Sequence, residues 1–226
     1  TTIGAGEGVL FKGGDVLERA KDVDTVVFDK TGTLTEGEME LTDVVVLDGA
    51  APVGSETAPD GGQLQTPNRL SEDGILELAA TAERGSEHPL GRAIVAGAED
   101  RGINIDEPTD FENVPGQGVH ATVDDGEVLV GNRTLLRNNG IDPAPAEATL
   151  ERLESEGKTA MLVGHVPAGG DDGTVAGVVA DADTVKETSE AAVSALKQRG
   201  IEVMMITGDN ERTARAVAEQ VGIDPK

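Results

Sequence analysis

Two short β-branched apolar runs set the frame of this chain. Val23-Asp24-Thr25-Val26-Val27-Phe28-Asp29 lies near one end and Ile201-Glu202-Val203-Met204-Met205-Ile206 near the other. Runs of this kind fit strands buried on both faces of a parallel sheet. A helical pattern, Asp183 to Arg199 closed by Gly200, precedes the second run. Another, Glu211 to Val221 closed by Gly222, follows the turn Thr207-Gly208-Asp209-Asn210. That order is the strand–turn–helix grammar of α/β domains. An α/β half is therefore expected at each end of the chain.

The residues between the halves read differently. Residues 48–70 are rich in Gly, Pro, Ala, Asp and Thr, and are expected to form an exposed flexible insertion. Ser71 suits an N-cap for a helix to about Gly85, with Glu72 and Asp73 in its first turn. Pro89 suits the first residue of a second helix ending near Gly102. Phe111 to Val114 reads as a strand. Val119 to Val123 and Glu127 to Val130 read as a hairpin turning at Asp125-Gly126. A helix from Glu147 to Glu156, with Gly157 as its C-cap, precedes strands Thr159–Val166 and Thr174–Ala180. Together these form an inserted α+β antiparallel domain.

Composition narrows the function. The 226 residues carry 43 acidic and 18 basic side chains, a formal charge of −25. The acids are spread along the chain, which marks a solvated folded surface and not an acidic tail. Self-repulsion of this size is relieved by salt, so a halophilic cytoplasm, of haloarchaeal origin, is the expectation. The same charge argues against nucleic-acid binding and against membrane contact by this segment. With no cysteine there is no disulfide, thiolate metal site or cysteine nucleophile. No apolar stretch is long enough for a membrane span. The chain opens Thr1-Thr2-Ile3-Gly4 with neither initiator Met nor leader, and is expected to be cut from something longer.

Ligands of open α/β sheets bind beyond the carboxyl ends of the strands. Asp29 and Thr207 both fall there. An aspartate in this place can attack a phosphoryl group as a carboxylate nucleophile. The backbone N–H groups of Lys30-Thr31-Gly32 can hold phosphate oxygens. Thr207 can donate its hydroxyl to the same phosphate, and Gly208 permits close backbone approach. Mg²⁺ would neutralise charge between carboxylate and phosphate.

Asp29-Lys30-Thr31-Gly32-Thr33-Leu34-Thr35 resembles the phosphorylation signature of P-type cation-transporting ATPases, and Thr207-Gly208-Asp209 resembles their second cytoplasmic motif. Ser86-Glu87-His88-Pro89-Leu90, Glu83 before it, and Gly116-Gln117-Gly118 resemble elements of the heavy-metal-transporting branch. The resemblance implies a haloacid-dehalogenase-like (Rossmann-type) phosphorylation domain, incomplete at its C-terminus, around an inserted nucleotide-binding domain. It divides the chain into a lead-in from a membrane helix (1–22), phosphorylation domain (23–41), nucleotide-binding domain (42–168) and the returning phosphorylation domain (169–226). It makes Asp29 the phosphorylated residue, with Lys30, Thr31, Thr207 and Gly208 in the catalytic set. Asp29 and Thr31 become Mg²⁺ ligands. Glu83, His88, Gly116, Gly118 and Asp209 become ATP-binding residues, with Glu83 and His88 at the adenine.

Phosphatases of that superfamily usually carry a second aspartate two positions after the nucleophile; here Thr31 stands there. The family's G-D-G-x-N-D hinge motif is absent. The implied whole is the cytoplasmic portion of a plasma-membrane pump, whose actuator and transmembrane domains are partners, with copper the expected cargo on family frequency. The alternatives are a soluble phosphatase of the same fold and a stand-alone nucleotide-binding module. Lys158 reads as a surface lysine or a phosphate-steering one, Asp183 as a helix cap or an ordering residue, and His120 and His165 as structural.

Overall fold

The computed structural model describes residues 14–47, 71–124, 126–170 and 172–224. The expected lead-in before residue 14, the insertion 48–70 and Asp125 of the expected hairpin turn lie outside them. The chain divides into two compact units. One holds residues 1–36, 185–208 and 217–226, and the other 37–184 and 209–216.

The first unit is built on two parallel strands, β1 (Thr25–Asp29) and β8 (Glu202–Ile206), paired from Thr25↔Glu202 to Asp29↔Ile206. A short helix, α1 (Gly14–Arg19), precedes β1, and α6 (Ser189–Gln198) precedes β8. The helix α7 (Glu211–Gln220) follows β8. Leu34, Val193, Ala218, Val221 and Ile223 form the buried core, with Phe28, Val203 and Met205 packed against it. The alternate positions face out: Val27 is 56% exposed and Ile206 61%. The expectation of strands covered on both faces is thus corrected. Strict period-two alternation of apolar side chains puts one set against the core and leaves the other uncovered.

The second unit is a six-stranded sheet in the order β2-β7-β6-β5-β4-β3. Its strands are β2 (Thr35–Val46), β3 (Asp110–Val114), β4 (Gly118–Val123), β5 (Gly126–Gly131), β6 (Thr159–Pro167) and β7 (Thr174–Val185). The pairs from β3 to β7 are antiparallel. Along β5 the side chains alternate between two cores. Val128 and Val130 join Ile75, Leu76 and Ile94 of α2 (Glu72–Glu83) and α3 (Pro89–Asp100). Leu129 joins Leu135, Leu136, Leu150 and Leu153 of α4 (Arg133–Asn138) and α5 (Glu147–Ser155). The sheet is therefore sandwiched between two helical pairs, and each fully buried Leu or Ile contributes about 1.5–3 kcal/mol.

Helix starts follow local chemistry. Ser71 Oγ accepts from Gly74 N at 3.1 Å, as expected of an N-cap. His88 Nδ1 accepts from Leu90 N at 3.3 Å and Pro89 opens α3. Asn132 Oδ1 caps α4 through Thr134 N and Leu135 N. Two segments depart from expectation. The helix expected from Asp183 begins at Ser189, because β7 runs on to Val185, and Asp183 Oδ1 accepts from Gly37 N at 2.9 Å. Thr35–Val46, not anticipated as a strand, is the edge strand β2.

Candidate functional site

The first unit assembles Asp29, Lys30, Thr31, Thr207 and Gly208 at one edge. Register brings Asp29 beside Ile206, so Asp29 and Thr207 both lie at the carboxyl end of the parallel pair. Asp29 is exposed in extended backbone conformation (φ −71°, ψ 143°). The chain then turns sharply. Thr31 (φ −72°, ψ 124°) and Gly32 (φ 74°, ψ −5°) have the dihedrals of a type II turn, whose third position needs a positive φ and hence glycine.

That turn is tied down from below. Thr35 Oγ1 donates to Lys30 O at 2.9 Å and accepts from Gly32 N at 3.2 Å. Lys186 Nζ donates to Gly32 O at 2.9 Å, and Ser189 Oγ to Leu34 O at 2.7 Å. Lys30 is buried, while Thr31, Gly32 and Thr33 are exposed. The result is an exposed carboxylate followed by a braced backbone turn. Lys186 and Ser189 were not singled out as site residues from sequence. The D-x-x-K spacing of Asp183 and Lys186 was the available signal. Thr207 is half-buried; around Gly208 an added Cβ would meet nothing within 4 Å.

For Mg²⁺ the donor set is sparse. Among the described residues no three His, Cys, Asp or Glu side chains cluster for a metal. An exposed single carboxylate still fits Mg²⁺, which keeps waters and takes one or two carboxylates plus substrate phosphates in place of an all-protein cage.

The second unit carries Glu83, His88, Gly116, Gly118 and Asp209. Glu83 ends α2 and is 4% exposed; burial raises its carboxyl above the usual range, opposed by a hydrogen bond with Ser86. Ser86 Oγ accepts from His88 N at 3.2 Å, which links Glu83 to the exposed His88 through one serine. The two glycines separate in role. At Gly116 (φ 71°) a Cβ would meet nothing, so the backbone is open to approach. At Gly118 (φ 139°) a Cβ would lie 2.1 Å from Val130 O, so glycine there permits the β4–β5 pairing itself. Asn132 Nδ2 donates to Gly116 O at 2.9 Å and steadies that loop. Asp209 Oδ1 accepts from Thr159 Oγ1 at 3.2 Å.

Lys158 does not project freely. Its Nζ bonds Asp43 Oδ2 and Glu156 Oε2, both at 2.7 Å. His120 pairs with Glu127 at 3.1 Å, and His165 is buried in β6. Glu154, 1% exposed, takes Arg133 at 2.8 Å and Arg212 at 3.1 Å. One buried acid had no forewarning from the sequence. Asp181 on β7 is 0% exposed and, among the described residues, neither of its carboxyl oxygens has a hydrogen-bond partner. Burial, and then the Glu83 charge, push its pKa up to about 8.

The chain resembles known proteins over almost all its length. The model of the haloacid dehalogenase-like hydrolases matches residues 23–226. A copper-transporting P-type ATPase of Rhizobium leguminosarum bv. viciae is 47% identical over 98% of this chain and 23% of its own length. A copper-exporting P-type ATPase of Bacillus subtilis (strain 168) is 44% identical over 96% of this chain and 24% of its own. The chain thus spans about a quarter of the length of these relatives. Among solved structures, a zinc-transporting PIB-type ATPase in its E2.Pi state matches 96% of this chain and 31% of its own, with 32% identity and a TM-score of 0.63. The catalytic domain of the CPx-ATPase CopB-B, at 23% identity and TM-score 0.59, shares the fold. With its parallel strand pair, its aspartate at the strand end and a family match over all but the first 22 residues, this chain belongs to the haloacid dehalogenase-like hydrolases.

Proposed function

We propose that this chain is the ATP-binding and phosphorylation region of a heavy-metal-transporting P-type ATPase, with copper as the cargo. The observation that carries the reading is the exposed Asp29 carboxylate at the end of β1, above a turn braced by Thr35 and Lys186. A carboxylate oxygen of Asp29 attacks the γ-phosphorus of ATP, the bond to the bridging oxygen breaks, and ADP leaves. The product is an aspartyl phosphate. In this reading the exposed Thr31 backbone beside Asp29 offers a donor to the transferred phosphate oxygens, while the Gly32 N–H is already held by Thr35 Oγ1. Mg²⁺, when bound through Asp29 and Thr31, would supply charge neutralisation for that transfer.

Thr31 favours a pump over a phosphatase. No side-chain base at that position is available to activate water, so the acyl phosphate persists until the rest of the protein responds. In the second unit, Glu83, the Ser86–His88 link and the open backbone at Gly116 form the adenosine end of the site, with Asp209 on its Thr159 anchor as a further nucleotide contact. No described helix is long and apolar enough to cross a membrane. The region works on the cytoplasmic side, coupled to the actuator and transmembrane domains of its parent, in a halophilic cell.

Metal-stimulated ATP hydrolysis by the full-length protein in vesicles tests this. Copper(I) is expected to stimulate and zinc(II) not, with Asp29→Asn inactive under both. Stimulation by zinc alone overturns the cargo; metal-independent hydrolysis of simple phosphate esters overturns the pump.

A further inference from the structure

The turn after Asp29 receives a cation from a distant part of the chain. Lys186 follows the end of β7, and its Nζ donates to Gly32 O at 2.9 Å. Its neighbours fix it in that place. Lys186 N donates to Leu34 O at 3.0 Å, and Ser189 Oγ donates to the same carbonyl at 2.7 Å. Ser189 is 4% exposed and gives its own N–H to Lys186 O at 3.0 Å. All of these residues belong to the first unit. The bonds seat the half-buried Lys186 against the stretch Gly32–Leu34, three residues beyond Asp29 at its nearest.

Cations are scarce here, with 18 Lys and Arg against 43 Asp and Glu. Arg133, Lys158, Lys197 and Arg212 each take a carboxylate. Lys186 takes none among the described residues; its acceptor is the neutral Gly32 carbonyl. Such a bond leaves the positive charge uncancelled and two of the three ammonium N–H groups uncommitted to any described residue. The shape of the turn does not by itself call for that charge. Thr35, 0% exposed, already holds it with a neutral hydroxyl that bridges Lys30 O and Gly32 N. Phosphorylation does call for it. Transfer to Asp29 replaces one carboxylate charge by about two on the phosphoryl group, on a chain already at −25.

We propose that Lys186 is a positioning residue for phosphoryl transfer: seated on Gly32 O, it holds the turn beside Asp29 and keeps an uncancelled positive charge there for the incoming phosphoryl group. The proposal rests on the phosphorylation reading given above. The reacting atoms are unchanged by it. A carboxylate oxygen of Asp29 bonds to the γ-phosphorus, and the electron pair of the broken bond leaves on ADP. Lys186 gives up no proton; its charge favours the more negative product and the transition state leading to it.

Single-turnover transfer of label from γ-phosphate-labelled ATP to the full-length protein that carries this region tests it, with Lys186→Gln, Lys186→Met and Lys186→Arg. Gln keeps an N–H donor for Gly32 O and loses the charge, Met loses both, and Arg keeps both. Labelling is expected to slow by about ten- to hundredfold in the Gln and Met variants and to stay within about threefold of wild type in the Arg variant. The half-saturating ATP concentration is expected to move by less than about twofold in all three, since the lost interaction acts on transfer and not on nucleotide binding. Thermal unfolding of the Gln variant is expected to match wild type. A Gln variant that labels at the wild-type rate, an Arg variant as slow as Gln, or a slowing that tracks a lowered melting temperature makes Lys186 a brace of the turn alone and overturns the proposal. A wild-type protein that takes no label overturns the phosphorylation reading instead.

Discussion

His88 does two jobs that substitution can separate. Its Nδ1 caps α3, and its link to Ser86 belongs to the proposed nucleotide site of the second unit. His88→Ala removes both and is expected to cost about 0.5–2 kcal/mol of stability, the value of a lost N-cap. His88→Asn keeps a capping oxygen. It should hold stability close to wild type by thermal unfolding while still weakening ADP binding severalfold; intact ADP affinity in that variant would make His88 a cap alone. The glycines part in the same way. Gly118→Ala drives a Cβ into Val130 O and is expected to cost stability by more than about 2 kcal/mol, whereas Gly116→Ala meets open space and bears only the positive-φ strain of about 1 kcal/mol. Denaturant melts of the two variants check the order. The place of Asp29 and Thr207 at the carboxyl ends of paired strands was legible, because short β-branched runs ending in polar turns mark strand ends directly. The burial of Asp181 was not, because a lone aspartate in an apolar run reads as a strand end and shows nothing of the sheet and helices that cover it.

At the scale of elements, the sequence was most readable where local chemistry acts alone. Ser71, Pro89 and the glycines after each helix mark boundaries within a few residues, since caps and turn dihedrals are decided by neighbours in the chain. The strand β2 was hidden because Glu36-Gly37-Glu38-Met39-Glu40 is charged and lies on a sheet edge, where pairing with β7 supplies what propensity lacks. The end of β7 was mistaken for helix for a related reason: Asp181, Asp183 and Thr184 look like a solvated helix start until the sheet partner Thr159 is known. The ion-pair set around Glu154 is likewise invisible in one dimension, drawing Arg133 and Arg212 from distant segments onto α5. Glu154→Ala leaves both guanidinium groups short of a buried acceptor and is expected to destabilise the second unit by about 2–4 kcal/mol. Glu151→Ala, which removes an exposed partner of Arg212, should cost less than about 1 kcal/mol. Equal losses in urea melts would contradict this account of the pair.

Over the whole molecule, charge and phosphoryl chemistry decide behaviour. A net charge of −25 on 226 residues repels itself in dilute buffer. The melting temperature is expected to rise by about 5–10 °C or more between 0.1 M and 2 M KCl, and a flat response would remove the halophilic reading. The division into two units follows the order of the chain: parallel strands near its ends hold Asp29 and Thr207 together, and the antiparallel insert between them forms a unit of its own. Asp29 is the residue on which the reading depends. The most direct measurement is transfer of label from γ-phosphate-labelled ATP to the full-length protein that carries this region, followed by hydroxylamine, which cleaves acyl phosphates and spares phosphoserine and phosphothreonine. Wild type is expected to label and to release the label to hydroxylamine, while Asp29→Asn binds nucleotide but takes none. Hydroxylamine-sensitive label on Asp29→Asn would contradict the account.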